Sequence, residues 1–265
     1  MRLDGCHALV TGASAGIGRE IARQLGGRAA TLVLVARREA QLQELAAELI
    51  EEHPQLRVEI RPADLSQRES IDELLVWVRS QSLTIDLLIN NAGLGDLGPF
   101  VNGSPERIDE MMLVNMVALT RLSRGLLPAM IAQKRGTILN VSSSAGFLPI
   151  PNMAVYAATK AYVTSLSEAL RSELRRTGVS VMALCPGPVR TEFNQVARRS
   201  ATGAAPAPRL SHVPVEEVAR AALHGLERNR AIVIPGLVMK FGMALVRLTP
   251  MPLLRLANRF RGKRV

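Results

Sequence analysis

The sequence predicts an α/β fold in which a single doubly wound parallel β-sheet carries helices on both faces. Short apolar segments alternate with longer amphipathic segments along most of the chain, which is typical of a repeated strand–helix unit. A glycine-rich loop follows the first apolar segment and precedes the first helix. The 265 residues suit one large domain, and 48% hydrophobic with 21% charged residues is ordinary for a globular protein.

Seven short apolar-rich segments are predicted as strands, and several of them are apolar almost throughout, as strands buried on both faces are. They are residues 7–10, 31–35, 56–60, 86–89, 137–141, 179–184 and 231–234. Apolar spacing predicts helices over 39–52 and 66–80, and the second begins with a capping box formed by Ser66 and Glu69. Two longer helices are expected over 104–133 and 152–177.

The charge is concentrated at the C-terminal end of the chain. Nine Lys or Arg residues and no Asp or Glu lie from Arg228 onward, so only +1 of the net charge of +10 belongs to the first 227 residues. A nearly neutral body argues against a nucleic-acid surface spread over the fold. Cys6 and Cys185 lie in apolar segments without metal-ligand spacing, and no signal peptide or membrane-spanning segment is recognisable, so we expect a metal-free cytoplasmic protein.

The glycine-rich loop has the features of a phosphate-binding site. Gly12, Gly16 and Gly18 stand where the first strand turns into a helix, with the spacing G-x-x-x-G-x-G. Glycines let the backbone approach a pyrophosphate closely, and the N-terminus of the helix supplies free N–H groups and partial positive charge. The loop therefore predicts a dinucleotide cofactor.

The end of the second strand indicates which dinucleotide is bound. A carboxylate at this point favours the ribose hydroxyl of NAD, but the sequence has the small Ala36 followed by Arg37 and Arg38. A guanidinium can pair with a 2′-phosphate through two hydrogen bonds, so NADP(H) is the predicted cofactor. Two arginines that are merely solvated at the start of a helix are the alternative.

Tyr156 and Lys160 are the candidate proton-transfer residues. Four residues apart on a predicted helix, their side chains lie on one face, and a neighbouring cation favours the phenolate. Such a pair is usually structural when it stands alone. Here a serine-rich turn containing Ser143 lies thirteen residues upstream of Tyr156, which together with the glycine loop favours catalysis.

These motifs resemble those of the short-chain dehydrogenase/reductase family over about residues 5–235. The matching segments are 11–18, Asp64–Leu65, 90–93, Asn115, Ser143, the Tyr156-x-x-x-Lys160 pair and 186–191. Residues 236–265 lie beyond the shared family core, and their pattern predicts a basic amphipathic extension of the same domain. The resemblance implies a Rossmann-like fold, with residues 1–235 as the NADP(H)-binding and catalytic domain. It also implies hydride transfer between NADP(H) and the carbonyl or secondary alcohol of a fairly apolar small molecule, such as a lipid, acyl or steroid-like ketone.

The resemblance assigns roles to single residues. Tyr156 is expected to donate or accept the proton, Ser143 to bind the substrate oxygen, Lys160 to lower the phenol pKa, and Asn115 to bend its helix and hold a relay water. Arg37 matches the family position that marks NADP preference, whereas Ala15 departs from a second basic position. The predicted cofactor-binding residues are Gly12, Ser14, Ala15, Gly16, Ile17, Gly18, Arg37, Arg38, Asp64, Leu65, Asn91, Ala92, Gly93, Tyr156, Lys160, Pro186, Gly187, Val189 and Thr191.

Two segments leave alternatives open. Residues 197–208 are rich in Gly, Pro and Ala, so they form either a surface loop or a lid over the site. In the basic tail, Leu237, Phe241, Leu245 and Leu248 recur at helical spacing. This apolar side covers the substrate pocket or a partner subunit, anchors the protein on an anionic membrane surface, or belongs to a loosely ordered tail.

Function and assembly also have alternatives at this level. A protein that binds NADP(H) as a regulatory ligand without turnover is one, and a membrane-surface lipid reductase is another. The expected partners are a small carbonyl or alcohol substrate and no nucleic acid. A homodimer or homotetramer is expected by resemblance, through the two longer helices. Pocket residues are expected from 94–100, 146–153 and 189–214.

Overall fold

The computed structural model describes residues 2–81, 83–193, 197, 212–250 and 252–255. It confirms the predicted doubly wound sheet: seven parallel strands lie in the order β3-β2-β1-β4-β5-β6-β7. The strands are β1 His7–Thr11, β2 Thr31–Ala36, β3 Arg57–Pro62, β4 Leu87–Asn90, β5 Gly136–Val141, β6 Val179–Leu184 and β7 Ile232–Val233. The order reverses between β1 and β4, and in such sheets ligands bind at the carboxyl ends of the strands near this point.

Helices connect the strands. They are α1 Gly16–Gly26, α2 Glu39–Glu52, α3 Arg68–Ser80, α4 Pro105–Met112, α5 Leu119–Ala132, α6 Ala154–Glu173, α7 Val215–Glu227 and α8 Leu237–Leu248. A π-helical segment, Leu113–Ala118, joins α4 to α5, and 3₁₀ turns cover Phe100–Asn102 and Ser144–Phe147. Within the described residues, no helix is long and apolar enough to span a bilayer.

The sheet separates two apolar layers. Successive residues of β1 show this: Ala8 and Val10 belong to the cluster that packs against α1, α2 and α7, whereas Leu9 belongs to the cluster under α3, α5 and α6. Strands β1, β2, β4 and β5 are accordingly buried along nearly their whole length. This double burial holds the carboxyl ends of the strands in fixed positions, and the candidate site lies there.

The predicted capping box at the start of α3 is wrong. The helix begins at Arg68 without a side-chain cap, and Ser66 instead donates its hydroxyl and its backbone N–H to Oδ1 of Asp64, at 2.8 and 3.0 Å. Asp and Ser side chains commonly form such local turns in place of a helix cap. The turn keeps Asp64 at the end of the β3 connection.

Candidate active site

The glycine loop forms a close-fitting turn between β1 and α1. Gly12 and Gly16 have φ values of +66° and +56°, in the left-handed region that favours glycine. A Cβ at Gly18 would overlap the side chain of Asn91 and the carbonyl of Gly12. Helix α1 has no side-chain cap at Ala15 and no acidic residue in its first turn, so its N–H groups remain available to an anion.

Asn91 is a structural clamp on this loop. Its Nδ2 donates to the carbonyl oxygens of Thr11 (3.0 Å) and Gly12 (3.2 Å), which fixes the end of β1. The hydroxyl of Thr11 in turn accepts from the backbone N–H groups of Asn91 and Ala92. The next residue, Gly93, leaves space beside the Lys160 ammonium, since a Cβ there would stand 3.4 Å from Nζ.

The two arginines after β2 lie on the nucleotide side of the site, where both are partly exposed. Arg37 Nη1 pairs with Glu110 at 2.9 Å. Arg38 reaches the Ser14 hydroxyl of the glycine loop at 3.3 Å and pairs with Glu192 at 2.9 Å. We call these two arginines, with Ser14, the nucleotide rim. Both guanidinium groups of the rim are held by ion pairs, and because these pairs are partly exposed, water can take the place of either partner.

The remaining cofactor-side residues take ordinary positions around this rim. Leu65 is buried against the layer under α3, and Ile17 packs against the layer under α1. After β6, the carbonyl of Pro186 accepts from the N–H of Ser144 (2.9 Å), and Val189 forms an isolated bridge with Val213. Thr191 lies against Gly16, because a Cβ there would stand 3.2 Å from its methyl group. The structure thus brings the predicted residues to one edge of the sheet.

Ser143 and Tyr156 come together beside the end of β5. Ser143 follows that strand directly; its hydroxyl accepts from the backbone N–H of Ala145 at 3.1 Å and lies close enough to the buried Tyr156 phenol to influence its pKa. Two features of the turn hold it against α6. Gly146 has no Cβ, so the turn lies directly on the helix backbone at Lys160. Ser142, just before the turn, donates its buried hydroxyl to the Lys160 carbonyl at 2.8 Å.

Burial dominates the titration of Tyr156 and Lys160. It raises the pKa of Tyr156 to about 12, against the lowering effect of the Ser143 hydroxyl. The Lys160 ammonium lies 5.8 Å from the centre of the phenol ring and donates to the carbonyl of Val141 at 2.9 Å. Lys160 is itself buried, which lowers its pKa to about 8. Desolvation is therefore the larger effect on the phenol pKa in this structure, and its lowering by Lys160 stays a prediction.

Asn115 lies within the π-helical segment between α4 and α5, and the bend expected of it stays a prediction. Its Oδ1 accepts from the N–H of Leu94 at 2.8 Å, while Nδ2 donates to the Leu94 carbonyl (2.9 Å) and to the Thr159 hydroxyl (3.0 Å). This buried amide thereby joins the loop after β4 to α6, next to Lys160. The relay water stays a prediction.

An apolar wall faces Tyr156. It is formed by Leu94, Met111, Val114, Ala145, Ile150, Met153, Val155 and Phe193. The ring of Phe193 lies 5.5 Å from that of Tyr156, and Gly95 makes room for it, since a Cβ there would come within 2.6 Å of the Phe193 ring. The segments expected to line the pocket thus contribute to this wall. Phe193 itself was missed, since a lone Phe after a turn carries no periodic signal.

The loop and the tail are described in part. Of residues 197–208 only Ala197 is described; its carbonyl accepts from the N–H of Leu97 at 2.8 Å, and the rest of the predicted lid lies outside the described residues. In the tail, α8 reaches the site with Met239, which lies against Gly187. The apolar side predicted from Leu237, Phe241, Leu245 and Leu248 is exposed, so the alternative in which it covers the pocket is wrong. Residues 256–265 lie outside the described part.

Known proteins are similar to this chain in sequence and fold. The family model described as short chain dehydrogenase matches residues 6–202. A short-chain dehydrogenase from Sphingobium yanoikuyae, solved with NADPH, is 36% identical with a TM-score of 0.79 and 88% of each chain covered. The bulky-bulky ketone specific alcohol dehydrogenase from Comamonas testosteroni is 32% identical with a TM-score of 0.76, over 97% of this chain and 92% of the other.

A longer relative is similar over part of its length. The very-long-chain 3-oxoacyl-CoA reductase of Phaeosphaeria nodorum is 34% identical over 200 residues, which make up 74% of this chain and 59% of that protein. The family match covers well over half of the present chain, and the glycine loop, Ser143, Tyr156 and Lys160 all lie within it. The chain belongs to the short-chain dehydrogenase/reductase family of oxidoreductases.

Proposed function

We propose that this protein is an NADP(H)-dependent carbonyl reductase, or the reverse alcohol dehydrogenase, acting on a fairly apolar small molecule. One observation carries the proposal: the hydroxyls of Ser143 and Tyr156 are buried together beside Lys160 and face an apolar wall. Burying polar and charged groups costs free energy, and buried titratable groups of this kind cluster at functional sites.

The residues present fit a nicotinamide dinucleotide. The close-fitting glycine loop and the uncapped N-terminus of α1 suit a pyrophosphate, and Gly93 leaves space beside Lys160. At the nucleotide rim, Arg37 and Arg38 suit a 2′-phosphate, and Ser14 offers it a hydroxyl. When bound, the nicotinamide supplies the hydride in reduction and accepts it in oxidation.

The protein supplies the proton and stabilises the developing charge. With its pKa raised to about 12, the Tyr156 phenol is protonated at neutral pH, which suits a proton donor in reduction. The Ser143 hydroxyl, held at the turn after β5, donates to the substrate oxygen as negative charge builds on it. Lys160 contributes a cation that is buried and fixed by Val141.

The wall supports an apolar substrate. Its members around Tyr156 are aliphatic, aromatic or thioether side chains, which bind hydrocarbon better than charged groups. Two of the similar proteins are named for bulky ketones and for very-long-chain 3-oxoacyl thioesters. We infer a substrate whose carbonyl carries a large apolar group.

A substrate panel tests the proposal. The purified chain is mixed with NADPH and with bulky aryl ketones, long- and short-chain 3-oxoacyl thioesters, and small charged keto acids, and NADPH oxidation is recorded. We expect turnover on the apolar members, with a preference that moves to bulkier ones in Phe193→Ala and stays unchanged in Val76→Ala, which truncates an exposed side chain of α3. NADPH binding without turnover on any member contradicts the proposal and supports a regulatory binding protein.

A further inference from the structure

Helix α8 carries an apolar face that nothing in the described structure covers. We call Leu237, Val238, Phe241, Leu245 and Leu248 the outer stripe; each of these side chains is between 65% and 82% exposed. A contiguous row of large apolar side chains on one face of a helix is unusual on a soluble surface and marks an interaction site. The outer stripe therefore needs an occupant.

Contacts on the opposite face of α8 determine the direction in which the outer stripe points. Met239 packs on Gly187 in the turn after β6, and the Arg247 guanidinium lies 5.6 Å from the ring centre of Phe147. Met243 and Val246 are half-buried on the same side. Because these contacts attach α8 to the wall of the active site, the outer stripe points away from the protein at the edge of that site.

The charge around the outer stripe indicates what covers it. Lys240 and Arg247 are exposed on α8, Arg255 follows, and the chain has no Asp or Glu after Glu227. A second copy pressed against the same face would bring these cations together, which opposes self-pairing. An anionic lipid surface offers the complementary charge and an apolar layer for the stripe. With 12 residues, α8 is too short to cross a bilayer but suits its interface.

We propose that α8 is an interfacial helix that binds the protein to an anionic membrane surface through the outer stripe. Lys240 lies at the level of the lipid phosphates, and the leucines and Phe241 enter the acyl boundary. The wall of the active site attached to α8 then lies next to the membrane, from which an apolar ketone can enter. Only this route of entry rests on the proposed function, and membrane binding is measured without any substrate.

Vesicle sedimentation of the full chain tests the proposal. Wild type is compared with Phe241→Glu and with the matched variant Val76→Glu, which places the same charge on an exposed valine of α3. We expect wild type and Val76→Glu to sediment with phosphatidylcholine vesicles that contain phosphatidylserine, and Phe241→Glu to bind at least about tenfold more weakly. Thermal unfolding of each variant checks that it folds.

Charge has its own readout. Lys240→Gln is expected to weaken binding to the phosphatidylserine vesicles about fivefold and to leave binding to pure phosphatidylcholine unchanged. Three results overturn the proposal: no sedimentation of wild type, equal loss in Phe241→Glu and Val76→Glu, or unchanged vesicle binding in Phe241→Glu together with a changed oligomeric state. The last identifies the outer stripe as a subunit contact. Phe241→Glu keeps residues 256–265. If those residues alone bound the vesicles, this variant would bind as strongly as wild type.

Discussion

The interior of the active site and the nucleotide rim use polar groups in opposite ways. Inside, Tyr156, Lys160 and Asn115 are buried, and each is held by a partner on another part of the chain. At the rim, Arg37 and Arg38 are about half exposed and paired with the surface carboxylates of Glu110 and Glu192. The interior geometry is thus set before any ligand arrives, whereas the rim can exchange its partners.

This difference determines how much a single substitution should cost. Removing one partner from a buried polar pair leaves the other without a hydrogen bond, at ~1–3 kcal/mol or more. An exposed ion pair contributes ~0–1 kcal/mol, because water replaces either partner. Substitutions in the interior should therefore have the larger effects, and those at the rim the smaller ones.

Tyr156→Phe should have the largest effect. It removes the proton donor but keeps the ring that packs on Phe193, so we expect turnover to fall about 10²- to 10⁴-fold with NADPH affinity nearly unchanged. Tyr162→Phe is the matched control, since the only other tyrosine is partly exposed and bonds Thr120. Steady-state rates and cofactor titrations measure both. Wild-type turnover in Tyr156→Phe would remove the phenol from the mechanism.

Asn115→Ala should have the next largest effect, which is a lower free energy of unfolding. The N–H and C=O of Leu94 both lose their partner inside the protein, so the free energy of unfolding should fall by about 2–3 kcal/mol. Denaturant unfolding measures the change. Asn102→Ala, at an exposed asparagine of the first 3₁₀ turn, is the control and should change stability by less than about 0.5 kcal/mol. Equal effects would mean that the buried amide has no special role.

Lys160→Met should stabilise the protein while abolishing turnover. The pKa of Lys160 is lowered to about 8 from an ordinary 10.5, so burying the ammonium costs free energy at pH 7. Methionine avoids that cost and loses one hydrogen bond to Val141, which leaves a net gain of about 1–2 kcal/mol in the free energy of unfolding. Lys134→Met, at an exposed lysine, is the control.

The pH dependence of that gain follows from linkage. Between about pH 8 and 10.5 the unfolded wild type binds the proton that the folded Lys160 has released, so wild-type stability rises with pH in this range. The advantage of Lys160→Met should be complete below pH 8 and shrink above it. The raised pKa of Tyr156 affects both proteins alike and cancels in the difference. A gain that is constant with pH would show that Lys160 is not buried as an ammonium.

The sequence predicted the parts of this site that depend on local spacing. The turn at Gly12 and Gly16 and the shared helical face of Tyr156 and Lys160 follow from residues close together in the chain. The pKa of Tyr156 did not follow, because it depends on burial by segments far apart in the sequence. The orientation of α8 did not follow either: Met239 and Met243 on one face are as apolar as the outer stripe, so periodicity cannot choose between the faces.

The rim provides the smallest effect, measured as the ratio of NADPH to NADH affinity. Arg37→Ala should lower this ratio about tenfold. A guanidinium–phosphate pair contributes ~1.5–3 kcal/mol to binding, and solvent reduces that contribution at an exposed site. Arg38→Ala should also lower it, because this arginine lies on Ser14 of the glycine loop. Fluorescence titration with both cofactors gives the ratio. If neither arginine changes it, the preference has another origin.

A substitution at Glu110 tests whether the rim can exchange its partners, because Glu110 pairs with Arg37 where a phosphate is expected to bind. Glu110→Gln should release the arginine and raise the affinity ratio by about two- to fivefold, the worth of one exposed ion pair. Glu106→Gln removes the same charge from the same helix, where the carboxylate bonds Ser104, and should leave the ratio unchanged. An equal rise in both variants would reflect net charge alone. If the affinity ratio rises in Glu110→Gln only, the rim selects its cofactor by exchanging the Glu110 carboxylate for the 2′-phosphate on Arg37.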